Sequence, residues 1–484
     1  MIAQPRRHLL TVAAVVAALP SHVSVASAHG FGQRYDLPIP LSFYLWGAGL
    51  TVALSFVVLA LFLTSERAAR PLPTLVVPLP AAIERLARVC GAALGLVGFV
   101  AVLIAGFFGE QNPMRNLAPV MVWIIAWVGL SFLSAALGPV WHVINPWATL
   151  YRAVGSFVGA QKNQRAAPTW IGVWPSFVLF VIFAWMELVW SGRNVPADLA
   201  TALAIYSVLA FAGMAWLGRE AWLRSGEVFT QVFDIFARFA PVTARAGVLA
   251  LRVPASGLID PPASASMAAL VIAVLATVTF DGLLETPLWA RLDLAVLEAP
   301  DDSFLWSVLH LREEEALRLL RTLALPLFVA LFAAAFVLVC RAMAALAAEP
   351  FATTGVLARR FVFTLVPISL AYHVAHYFSY LLIGGQHIIP FLSDPFLLGW
   401  NLIGTASYRV DVGLVDPRLQ WSVAVIAVVL GHVIAIWLAH VTALRTFSRP
   451  RAAVVTQLPL MGLMVGYTMV SLWILSQPIV ETGG

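Results

Sequence analysis

The sequence predicts an all-α protein, a polytopic bundle of about ten transmembrane helices behind a cleavable export signal. Three observations carry this. The composition is that of a chain dissolved in lipid, the N-terminus has the layout of a signal peptide, and apolar windows of bilayer length alternate with loops sorted by charge.

Of 484 residues, 61% are hydrophobic and 11% charged, against about 25% charged in a soluble domain. There are 17 Trp and 29 Phe, and Lys162 is the one lysine. The net charge of +5 invites a nucleic-acid partner. No basic run or stripe supports one, because the arginines are scattered through loops, where topology calls for them. No nucleotide-binding loop is present either. The partners expected are the bilayer itself and a small apolar substrate.

Arg6, Arg7 and His8 form a positive start, Leu9 to Leu19 an apolar run, and Ala26-Ser27-Ala28 a small-residue cleavage site. The run is too short for a bilayer that needs about 20 residues. The expectation is a signal peptide over 1–28 and a single membrane domain over 29–484.

Apolar windows predict helices near 41–63, 89–108, 118–137, 170–190, 198–217, 264–280, 323–340, 361–383, 421–441 and 457–476. With the mature N-terminus outside, the inner loops are 64–88, 138–169, 218–263, 341–360 and 442–456. They hold 18 of the 29 Lys+Arg, while 15 of the 24 acidic residues fall in the outer segments, as the positive-inside rule requires. A bacterial inner membrane with the mature N-terminus in the periplasm is therefore expected. The outer loop 281–322 is acidic, and 218–263 reads as a cytosolic amphipathic helix lying in the interface. Cys90 and Cys340 fall at cytosolic helix ends and provide no disulfide framework.

Chemistry is sought where polar groups are costly. His373 and His376 stand three apart on one predicted helix, about 60° apart around its axis, and so share a face. His432 lies mid-way along the next predicted helix, and counting from the window edges puts all three at similar depth. Three converging imidazoles suit a divalent transition metal such as Zn, Mn or Co. A polar knot joining helices is the plainer alternative. Asp281 and Glu285, one turn apart in TFDGLLETPLW, supply candidate catalytic carboxylates near the outer surface. Glu187 in AWMELVW lacks a local cation, Asp394 opens a loop before Pro395, and His142 precedes a break at Pro146. His29, as a mature N-terminal residue, would offer an amine and an imidazole to copper.

HGFGQRYDLPIP, TFDGLLETPLW, AHYFSYLLIGGQ and SDPFLLGWNLIGT resemble segments of the membrane-bound fenitrothion hydrolase family of soil bacteria. The resemblance implies hydrolysis of an organophosphorus triester at the phosphorus–O-aryl bond with release of a nitrophenol. Such chemistry suits a metal-activated hydroxide, although the soluble metallohydrolase patterns HxH and HExxH are absent. Ten helices broken at Pro and Gly with buried histidines suit a transporter or metal-handling protein as the rival class, and a non-catalytic assembly factor is third.

Overall fold

The computed structural model describes residues 35–158, 168, 170–245, 247–259, 263–300, 304–347 and 349–479. The expected export signal and His29 lie outside these residues. The structure is 76% helical.

Among the described residues nine helices are long and apolar enough to cross a membrane. They are α1 (Leu41–Phe62), α2 (Ala81–Phe108), α3 (Leu117–Leu137), α5 (Pro196–Leu217), α7 (Ala265–Leu284), α8 (Glu313–Ala347), α9 (Thr354–Ser393), α10 (Pro417–Thr446) and α11 (Pro450–Ser476). The remaining expected span is the shorter α4 (Trp174–Leu188), of 15 residues, about 22 Å of helix. Starts follow ordinary capping chemistry: Ser264 accepts from Met267 N at the head of α7, and Asp416 from Leu419 N ahead of Pro417 in α10.

A three-stranded antiparallel ribbon joins β1 (Thr74–Pro78) to β3 (Val248–Arg252), which also pairs with β2 (Val242–Arg245). Hydropathy gave no sign of it, because these strands are short and partly polar. The ribbon bears on whether α4 crosses. Between β1 and β3 the chain passes through three long helices, α2, α3 and α5, and an odd number of crossings would leave the strands on opposite faces. Their pairing fits an even number of crossings, and of the two shorter apolar helices in this stretch, Trp174–Leu188 and Val228–Ala237, α4 is the longer.

Other contacts gather the loops that carry most of the arginines at this same end. Arg445 Nε donates to Ala68 O at 2.8 Å, Ala263 N to Arg359 O at 2.9 Å, and Ser448 Oγ to Glu349 at 3.3 Å. At the other end Ala197 N donates to Gln111, and Tyr35 N to Ile479 O, at 3.0 and 2.9 Å.

The expected interfacial helix in 218–263 is corrected. Helix α6 (Val228–Ala237) is buried rather than lying on the surface: Val232, Phe233 and Phe236 are at most 1% exposed. The segment from Trp141 to Val158 also dips inward, since a Cβ on Gly95, midway along α2, would lie 1.7 Å from Ile144 O. Glu227 fastens both re-entrant pieces. Its carboxylate, fully buried, accepts from Trp141 Nε1 at 3.0 Å, Asn145 Nδ2 at 3.2 Å, Tyr206 OH at 2.7 Å and Thr230 N at 2.7 Å. Non-helical backbone at membrane depth survives only when enclosed in protein and hydrogen-bonded, and Glu227 does this for the start of α6.

Candidate functional site

Three helices bring their polar residues together toward the end away from the ribbon. Asp281 sits near the end of α7, Glu187 next to the last residue of α4, and His376 and Tyr377 on the Val366–Ser379 stretch of α9. His376 Nε2 is 2.8 Å from Asp281 Oδ2, and the Tyr377 hydroxyl donates to the same oxygen at 2.8 Å. The hydroxyl lies 3.4 Å from Glu187 Oε1 on its other side. A phenol has one proton to give, and the shorter contact assigns it to Asp281. Glu187 then faces the oxygen's lone pairs, an approach that is favourable when Glu187 itself carries a proton. The arrangement is two carboxyl groups with a hydroxyl between them, and an imidazole beside the carboxyl of Asp281.

Exposure separates the imidazole from the carboxyls. The His376 side chain is 4% exposed and that of Asp281 21%, so Asp281 is more accessible to water or substrate than the imidazole; Glu187 is likewise partly exposed. Arg193 Nη1 donates to Glu187 O at 2.7 Å, which brings a cation to the rim. Glu285 follows the last helical residue of α7 at the surface. Partial desolvation, and after it the Asp281 charge, hold its carboxyl above the ordinary range. It flanks the row rather than belonging to it.

The expected metal triad is not assembled. Among the described residues no group of three or more His, Cys, Asp or Glu side chains is arranged to hold a metal ion. His373 engages Ser369 O through Nδ1 at 2.8 Å, and its ring is packed against Trp127 and Phe236 at 6.0 and 5.2 Å. His432 engages Val428 O through Nδ1 at 2.8 Å, and its ring lies 5.9 Å from that of Tyr467. The depth match fails because hydropathy windows locate spans but not the register between helices. Register is set by Gly431 of α10, where an added Cβ would lie 2.4 Å from Ala371 Cβ and 2.7 Å from Pro367 O. His432 is therefore level with residues 367–371, roughly 10 Å along the axis from His376 at 1.5 Å per residue. The donor set does not fit the Zn, Mn or Co ion expected, and the copper position at His29 lies outside the described residues.

Two further candidates are structural. Asp394 accepts from the backbone N–H of Leu398, Gly399 and Trp400 at 2.7 to 3.0 Å, so it shapes the SDPFLLGWNLIGT loop. His142 Nε2 pairs with Asp234 at 2.8 Å. Glu227 was missed; its signal was an acidic residue just ahead of the apolar run VFTQVFDIFA. No protein-family model, curated protein or solved structure matches this chain.

Proposed function

We propose that this chain is a membrane-embedded hydrolase of neutral apolar esters, the organophosphorus triesters that its sequence resemblance implies. The observation that supports this reading is the Tyr377 hydroxyl between Asp281 and Glu187. An acid and a base linked by one relaying hydroxyl, with the base reachable, is the equipment of general acid–base hydrolysis.

The steps balance as follows. Asp281 takes a proton from water as the water oxygen bonds to phosphorus. The phosphorus–O-aryl bond breaks, and Glu187 gives its proton to the departing aryloxide. The proton on Asp281 returns to Glu187 through the Tyr377 hydroxyl, which gives one proton and receives another. His376 positions Asp281 and donates to it. With the arginine-rich face read as cytosolic, the site opens to the periplasm of a bacterial inner membrane.

The leaving group tests the division of labour. Asp281→Asn should slow hydrolysis of every aryl triester by about 10²–10⁴. Glu187→Gln should spare a nitrophenyl ester, whose phenolate departs unaided, and slow an unsubstituted phenyl ester. Equal effects on both esters would remove Glu187 from the acid role.

A proton-coupled carrier is the second reading, favoured by one observation. Among the described residues the Tyr372 hydroxyl and His432 Nε2 are buried without hydrogen-bond partners, the first on α9, which carries His376 and Tyr377, and the second on α10, which packs against α9. A carrier would move solute into vesicles and release no phenol in detergent.

A further inference from the structure

A cavity of about 510 Å³ lies between α3, α4, α5 and α6, within the range of about 300–1,000 Å³ typical of small-molecule sites. Six of its eighteen lining residues carry rings, Trp123, Phe183, Trp185, Trp190, Tyr206 and Phe229, and most of the others are aliphatic. Four of these could donate a hydrogen bond, and three of the donors are engaged outside the cavity. Trp123 Nε1 donates to Arg193 O at 2.8 Å, Trp185 Nε1 to Thr322 Oγ1 at 2.9 Å, and Tyr206 OH to Glu227 at 2.7 Å. With those donors turned away, the rings offer the cavity faces and edges. Such a wall favours a ring-bearing, uncharged guest through offset and edge contacts, and a polar guest would leave its own groups unpaired.

The cavity also opens to the surface that faces acyl chains. Ile182 on α4 and Ile205 and Leu209 on α5 line it while 48%, 64% and 38% exposed. Asp198 is the one acidic residue of the wall, set in the first turn of α5 at the site end. It repels an anion, such as a phenolate released nearby. On α4, Phe183 and Met186 line the cavity while the adjacent Glu187 faces Tyr377.

We infer that this cavity binds a neutral aromatic molecule taken from the bilayer, entering between α4 and α5. The inference deepens the hydrolase reading and rests on it for the sense of the arrangement: the cavity would hold the apolar aryl ester beside the acid on α4. Binding itself needs no hydrolysis.

The experiment uses full-length protein in phospholipid nanodiscs and 4-nitroanisole, a neutral nitroaryl ether without phosphorus that quenches tryptophan fluorescence. Saturable quenching beyond that of a tryptophan-containing control disc is expected, weakened at least ten-fold by Ala202→Phe and by Leu179→Trp, which fill the cavity from different helices. Linear quenching equal to simple partition would overturn the inference. So would wild-type quenching in both variants, or a co-purifying phospholipid that the ether does not displace. Saturable binding in a protein that releases no nitrophenol from paraoxon keeps the cavity and removes the hydrolase. Hydrolysis with no saturable ether binding does the reverse.

Discussion

The Tyr377 hydroxyl donates to Asp281 across 2.8 Å while resting 3.4 Å from Glu187, so one phenol proton lies between two carboxyl groups of different helices. Neither carboxyl shares a sequence segment with the tyrosine. The row exists because α4, α7 and α9 end their polar positions at one level.

Tyr377→Phe should keep the fold and lose the relay. The ring remains and one buried hydrogen bond disappears, which costs about 1 kcal/mol. Turnover of an unsubstituted phenyl triester should fall about 10²-fold with little change in KM, because Glu187, having given its proton to the leaving group, is no longer recharged from Asp281. Wild-type kcat in this variant would show that Tyr377 only packs the site.

Gly431→Ala should damage the site from a distance. The added methyl would meet Ala371 Cβ at 2.4 Å and Pro367 O at 2.7 Å, and neither helix backbone can yield without shifting the other. Destabilisation of about 1–3 kcal/mol is expected for such overpacking, seen as a lower Tm in detergent. An unchanged Tm would mean that α9 and α10 do not meet at this residue.

The ribbon predicts a cross-link. Val76 and Ala250 are partners in its register, so Val76→Cys with Ala250→Cys, in a chain with Cys90 and Cys340 replaced by Ala, should form a disulfide on oxidation. Failure to form it, with the two thiols labelled from opposite sides of the membrane, would mean that α4 does not cross.

One pH dependence follows from His142. Its hydrogen bond to Asp234, opposed by partial burial, raises its pKa above the ordinary 6.5. A raised folded pKa means that the stabilisation is complete below pH about 6.5 and is lost as pH rises through the higher folded value. Both side chains are more than one-third exposed, so the gain is below about 1 kcal/mol. Wild-type Tm should exceed that of His142→Ala at pH 5.5 and converge with it at pH 8.5; a constant difference would exclude the pair.

The membrane bundle was legible in the sequence because hydropathy and charge sorting are properties of whole segments. Nine of the ten expected spans appear as long helices, and α4 fell short in length rather than in place. Asp281, His376 and Glu187 were legible as ionisable groups where lipid makes them costly. Their partnership was not, because it depends on how far α4, α7 and α9 slide past one another. The same slide separates His432 from His376. Helix α6 was misread because its polar side chains, Thr230 and Gln231 among them, face protein partners at depth, and a sequence shows polarity without showing what answers it.

The most direct measurement compares Asp281→Asn with His373→Ala and His432→Ala in pure protein, following nitrophenol release from paraoxon with and without a chelator. The acid–base account predicts at least a 10²-fold loss for Asp281→Asn, near wild-type rates for the two histidine variants, and no effect of the chelator. Wild-type turnover in Asp281→Asn, or loss of both activity and bound metal in either histidine variant, would contradict it.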